Sequence, residues 1–180
     1  RYRAMLALTL LMPGTPLLFQ GQEFAASTPF YYFADHKPEL AAMVAKGRRE
    51  FLAQFPSLSD RRMQMEFAAP HDPQTFLHCK LDFSERTSHA AEYQLTKDLL
   101  KLRRSDEVFR SISHISFDGA VLGAHAFLLR YFHARHDDRL LLVNFGEDLD
   151  LTVVPEPLLA PPLGTRWQVV LSTEQPQYGG

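Results

Sequence analysis

The stretch Pro13-Gly14-Thr15-Pro16-Leu17-Leu18-Phe19-Gln20-Gly21-Gln22-Glu23-Phe24 decides how the rest of the chain is read. A Pro-Gly-x-Pro turn opens into a short apolar run. The run then breaks at Gln-Gly-Gln-Glu, where polar side chains and a permissive backbone arrive together. Continuous rather than alternating apolarity suits a strand covered on both faces, as in a parallel sheet or barrel, where function collects at the carboxyl ends of strands. The reading is a short buried strand over 16–19 that delivers a carboxylate and amides to a rim.

Working outward, residues 1–12 read as a helix whose apolar face recurs at three- and four-residue steps (Tyr2, Met5, Leu6, Thr9, Leu10) and which ends at Pro13 and Gly14. Helix, turn, strand and polar rim make one αβ step. The connection Phe24 to Pro38 that follows is long and carries Phe24, Phe30, Tyr31, Tyr32 and Phe33, then Asp35-His36. Connections of that length are usually functional or disordered, and this one is too aromatic for disorder. A second helix is predicted from Glu39 to Leu52, with Leu40, Met43, Val44, Gly47 and Phe51 opposite a wetter side of Lys46, Arg48, Arg49 and Glu50; Pro56 closes it. Residues 57–87 are mixed, with a turn at Pro70-His71-Asp72-Pro73 and a short helix or extended piece at 74–83. Ser88 is placed to cap a third helix over 89–104, whose stripe is Ala91, Leu95, Leu99 and Leu102 and whose last turn carries Lys101, Arg103 and Arg104 at the negative end of the helix dipole.

After Asp106 the period turns from helical to alternating. About six short strands are expected, at 112–117, 121–122, 126–133, 139–145, 149–154 and 167–171, with turns at Asp118-Gly119, 136–138 and Gly146-Glu147-Asp148. Such spacing suggests an antiparallel sandwich. Pro155 to Gly164, with four prolines, cannot pair in a central strand and is a surface connection. The fold class is therefore α/β plus all-β, with 1–105 as one part and 106–180 as the other.

A chain of 180 residues that is 46% hydrophobic can bury a core. Its formal charge of −2, with acids and bases interspersed, lacks the basic footprint of a nucleic-acid binder. A single cysteine, Cys79, excludes an intrachain disulfide framework and fits a cytoplasmic setting. The apolar run Leu6 to Met12 is too short to span a bilayer, and the turn after it is no signal-peptide cleavage site, so no membrane role is expected. The start at Arg1, inside an amphipathic pattern, and the stop at Tyr178-Gly179-Gly180 are expected of a fragment whose N-terminal part is missing.

Chemistry is sought first at Gln20, Gln22 and Glu23, which at the end of a buried strand either contact substrate and support catalytic groups or sit in an ordinary rim network. The aromatic loop, Phe30 included, forms either a platform for a flat, hydroxyl-rich ligand or a packed lid cluster. Asp35 and His36 are an acid/base pair or, more simply, a turn or rim contact. The eight histidines show no His-x-x-x-His pair on a helix and no partnering Cys/Asp set, so no metal is expected. No nucleophile elbow, P-loop or dinucleotide fingerprint occurs, and no cofactor is called for. Residues alone reach a polar and aromatic rim on an α/β domain followed by a β-domain, but not a reaction.

At these same residues the chain resembles a known family. Pro13 through Phe24 is similar to the eighth strand and following turn of the α-amylase (β/α)8 superfamily. Ala25-Ala-Ser-Thr-Pro-Phe30, Phe33-Ala-Asp-His36, Glu39-Leu40 and Lys46-Gly-Arg-Arg-Glu-Phe51 resemble, more narrowly, the malto-oligosyltrehalose trehalohydrolases. Leu99-Leu-Lys-Leu-Arg-Arg104 resembles the last barrel helix, and Trp167 through Glu174 to Gly180 resembles part of the C-terminal β-domain. The resemblance implies the C-terminal end of a TIM barrel followed by an incomplete antiparallel β-sandwich. It also implies a parent enzyme that hydrolyses the α-1,4 bond beside the trehalose unit of maltooligosyl trehalose with a retaining carboxylate pair. Those carboxylates follow the fourth, fifth and seventh strands, so this chain holds no catalytic residue, is inactive by itself, and contributes Gln22, Glu23, Phe30, Asp35 and His36 as substrate-binding or rim residues. The implied partners are maltooligosyl trehalose or another α-1,4-glucan and the missing part of the same barrel. A debranching or branching enzyme of the superfamily, and a non-catalytic carbohydrate-binding or interaction module, are the other readings.

Overall fold

The computed structural model describes residues 1–60, 68–110, 116–133, 135, 137–151 and 154–180. In chain order its helices are α1 (Tyr2–Leu11), α2 (Pro38–Leu52), α3 (Pro73–His78), α4 (Glu85–Ser88), α5 (Ala90–Ser105) and α6 (Glu107–Arg110); its strands are β1 (Phe117–Gly123), β2 (Ala126–Tyr131) and β3 (Arg139–Asn144). The chain divides into two compact units, Arg1–Ala25 with Glu85–Gly180, and Ala26–Ser84.

The core of the first unit follows from helical periodicity. Leu6, Ala7, Leu10 and Leu11 of α1 form one stripe and meet Leu95 and Leu99 of α5, with Val108 and Phe109 of α6 completing the cluster. Each fully buried leucine contributes about 2 kcal/mol of transfer free energy. The strands form one antiparallel sheet in the order β1-β2-β3, with Leu129 opposite Gly119 on one side and Leu141 on the other. Period-two alternation turns Leu129 and Tyr131 toward the helices, and Tyr131 packs edge-on against Phe109 at 5.5 Å. Gly119 sits at a close approach: a Cβ there would lie 2.9 Å from Leu129 Cδ2 and 3.1 Å from Leu128 O, so a larger residue would have to displace its neighbours.

The opposite face of β2 carries Arg130, only 9% exposed. Its guanidinium meets Asp138 at 2.8 Å, donates to Ala160 O at 2.6 Å and lies over the rings of Phe132 and Trp167. The proline-rich connection is thus tied to the sheet by a buried cation rather than by strand pairing. Asp106 joins helix to sheet. Its Oδ1 accepts from the amides of Val108 and Phe109, starting α6, while Oδ2 accepts from Arg139 Nε of β3 at 2.9 Å.

Several expectations are corrected. Residues 15–19 form no strand among the described residues: no described strand pairs with them, and Leu17 is 88% exposed. Of the six expected strands three form. Residues 167–171 carry no strand because they have no pairing partner, and Trp167 instead donates to Leu159 O at 2.7 Å. The expected strand at 112–117 lies outside the described residues over 112–115, as do 152–153 of the one at 149–154, whose described residues form none. Ser88 ends α4 rather than capping α5, whose N-cap position is His89.

In the second unit Pro38 at N1 starts α2, and Asp72 caps α3 by accepting from Gln74 N at 2.9 Å. Cys79 is buried, with Sγ accepting from Tyr31 N at 3.1 Å and lying 3.1 Å from Thr75 O, so the aromatic segment is fastened to α3 through its backbone. The mixed stretch read at 57–87 includes 61–67, which fall outside the described residues.

Candidate functional site

The polar break at the end of the quoted stretch becomes a tight 3-10 turn, Gln22–Phe24, bracketed by two left-handed residues, Gly21 at φ 80° and Ala25 at φ 52°. Glycine takes such a φ freely, whereas alanine pays about 1 kcal/mol there, so surrounding contacts must hold the turn. They do so at three consecutive carbonyls. Tyr2 Oη of α1 donates to Gln22 O. Thr96 Oγ1 of α5 donates to Glu23 O at 2.8 Å. His89 Nδ1 lies 3.0 Å from Phe24 O, and since a carbonyl cannot donate, the ring carries its proton on Nδ1.

Side chains of the turn are sorted by this clamp. Phe24 is fully buried, with the Arg86 guanidinium 5.3 Å from its ring centroid. The Glu23 carboxylate faces Arg86 at 3.5 Å, half in solvent. Gln22 Oε1 folds back to accept from Phe19 N at 2.9 Å. Burial raises the Tyr2 hydroxyl above its ordinary range, with the carboxylates of Glu92 and Glu23 acting in the same direction.

Phe30, Asp35 and His36 belong to the second unit. Phe30 is 51% exposed and meets Phe33 edge-on at 5.9 Å, Phe33 meets Phe76 at 5.0 Å, and Arg48 lies over Tyr32 at 4.8 Å. The segment therefore presents aromatic faces while its backbone is fastened at Cys79 and, through Ala34 N, at Pro70 O. Asp35 is exposed and His36 half-buried, and no ion pair joins them. Among the described residues no group of three or more His, Cys, Asp or Glu could hold a metal, and no helix is long and apolar enough to cross a membrane.

Sequence reasoning missed Tyr2, Thr96, His89 and Arg86 as residues of this site. Thr96 did leave a signal: a hydroxyl between Leu95 and Leu99 on a buried stripe must find an acceptor. That the acceptor would be Glu23 O could not be read locally.

Comparison with known proteins adds the family. Residues 116–180 match the model described as a domain of unknown function, DUF3459. The chain is 40% identical over 148 residues to a malto-oligosyltrehalose trehalohydrolase of Deinococcus radiodurans, covering 79% of this chain and 23% of that protein. It is 41% identical over 103 residues to the protein of that name in Mycobacterium tuberculosis, covering 56% of this chain and 17% of that one. A crystal structure of a Salmonella typhimurium protein described as an alpha amylase superimposes with TM-score 0.66 at 26% identity, covering 80% of this chain and 24% of that chain. The chain thus spans less than a quarter of the length of these curated relatives. On these likenesses the chain is similar to a C-terminal part of the malto-oligosyltrehalose trehalohydrolases, and its fold to an alpha amylase.

Proposed function

We propose that these 180 residues are part of a retaining glycoside hydrolase that cleaves the α-1,4-glucosidic bond next to the trehalose unit of maltooligosyl trehalose, releasing trehalose in a cytoplasmic biosynthetic step. The observation that carries the reading is the 40% identity, sustained over 79% of the chain, to a protein of that name. In it, residues 1–105 are the end of the (β/α)8 barrel, and 106–180 are the C-terminal β-domain.

A retaining glycosidase needs one carboxylic acid to protonate the leaving oxygen and a second carboxylate to attack the sugar, the two about 5 Å apart. Glu23 is assigned to the rim, not to this pair, because of its position in the resemblance, after the eighth strand; its carboxylate faces Arg86 at 3.5 Å. The catalytic pair is assigned to earlier strands of the parent, and the 180-residue chain alone is inactive. Gln22 and Glu23 from the first unit, and Phe30, Asp35 and His36 from the second, are assigned as substrate-binding or rim residues. An amide such as that of Gln22 suits a sugar hydroxyl, and the exposed Phe30 ring suits a pyranose face.

The test compares rates of the full-length protein on trehalose-capped and plain maltooligosaccharides of equal length. A strong preference for the capped substrate supports the reading. Equal rates, or branch-point cleavage only, would replace it with another activity of the superfamily, and no turnover of any α-1,4-glucan would leave a binding module.

A further inference from the structure

We infer that Thr96, with Tyr2 and His89, is a positioning residue of the sugar-binding rim, acting on substrate through the carbonyls of the Gln22–Phe24 turn; the substrate part of this rests on the reading proposed above. Two helices each contribute to the grip. Tyr2 comes from α1, whereas Thr96 stands on α5 and His89 at its N-cap. Their three acceptors are successive in sequence, so the peptide planes of the whole turn are fixed, not one hydrogen bond of it.

Thr96 is the centre of the arrangement. It is 2% exposed, and its single hydroxyl proton is shared between Glu23 O at 2.8 Å and Glu92 O at 3.0 Å, the second being an ordinary bond back along its own helix. Were the hydroxyl there only to satisfy itself, the bond to Glu92 O would be enough. The shorter bond reaches across to a residue 73 positions away. It lands on the carbonyl of Glu23, between Gln22 and Phe24, whose ring is the buried anchor.

The grip is also braced from behind. Tyr178, buried at the end of the chain, donates to Asp98 of α5 at 2.8 Å, and Arg3 of α1 donates to Gly179 O at 2.8 Å and to Glu174 at 3.0 Å. The segment 174–179 thus ties α1 to α5, the two helices that hold the turn. A hydroxyl on a helix flank and a strap on its far side therefore serve one purpose, the fixed presentation of Gln22 and Glu23.

The test uses the full-length protein with Thr96→Val and Thr96→Ser, read by hydrogen exchange of peptides covering 20–26 and by steady-state kinetics of trehalose release. Valine keeps the shape and removes the donor; serine keeps the donor. Losing one buried hydrogen bond predicts about five- to tenfold faster exchange in 20–26 for T96V. Peptides from α1 and α5 should be unchanged, KM should rise about fivefold with kcat nearly constant, and T96S should restore both. Unchanged exchange in 20–26 overturns the clamp. Faster exchange with KM and kcat both unaltered overturns the positioning role. A loss of kcat in proportion to unfolded protein, not rescued by serine, also overturns it. If the wild-type protein releases no trehalose, the reading of the parent activity falls by that result alone, and the exchange arm still decides the clamp.

Discussion

Arg103 gives the sharpest test of how the first unit is held together. From the last turn of α5 it reaches the end of α1, donating from one nitrogen to Leu10 O at 2.5 Å and Met12 O at 3.1 Å and from the other to Gly14 O. A helix leaves its last carbonyls without intrahelical partners, and here a foreign guanidinium supplies the donors and sits at the negative end of the dipole. Arg103→Met removes all of this. One partly buried charge-assisted bond is worth about 2 kcal/mol, the two exposed ones together about 1 kcal/mol because water replaces them, and the dipole term about 0.5 kcal/mol. The expected loss is about 3.5 kcal/mol, with Arg103→Lys losing about half, since lysine keeps the charge but not the planar fork. Arg104, its exposed neighbour, is the control, and Arg104→Met should cost about 0.5 kcal/mol or less. Urea unfolding followed by fluorescence of the single tryptophan, Trp167, reads all three variants. If R103M and R104M unfold at the same midpoint with the same slope, Arg103 does not cap α1 and the reasoning fails.

Other outcomes follow from individual contacts. Asp138→Asn leaves the buried Arg130 cation without its counter-charge and should cost about 3 kcal/mol, while the double variant R130M/D138L should recover most of that; urea midpoints of the single and double variants decide it. Tyr131, whose hydroxyl donates to Leu11 O, has its pKa pushed by burial from 10.0 up to about 12, with Arg103 opposing. A raised folded pKa means stability present below pH 10 and lost as pH rises toward 12, so thermal melts should show that slope and Tyr131→Phe should make it shallower, with Tyr2 and Tyr178, also raised by burial, supplying the remainder. Cys79, 4% exposed and engaged with backbone groups, should react with a thiol reagent only as fast as the second unit opens, and with the unhindered rate in denaturant; equal rates in both would contradict its burial.

What could be read from the sequence was what local pattern encodes. The helices around Leu6/Leu10 and Leu95/Leu99 were legible from spacing, and their ends from Pro13 and the basic last turn; α2 was legible as a helix, but its expected apolar residues Leu40, Met43 and Phe51 are exposed, and the buried ones are the small Ala41 and Ala45. Strands were legible only where two alternating runs lie close enough to pair, as Ala126–Tyr131 and Arg139–Asn144 do; alternation at 167–171 looks the same but has no partner among the described residues. Arg103 and Arg104 looked equivalent as dipole residues of their own helix, yet the structure gives one of them to α1. At the candidate site Gln22 and Glu23 were legible from the break in apolarity. Their anchors Thr96 and His89 lie more than 60 residues away, and contacts of that range leave no trace in local periodicity.

The most direct measurement of the central claim is product identity when the full-length protein is given a purified maltooligosyl trehalose. The account predicts trehalose and a maltooligosaccharide shorter by that unit in equal amounts, and no trehalose from the 180-residue chain alone. Glucose or branched fragments without trehalose from the full-length protein, or catalytic trehalose release by the isolated chain, would contradict it.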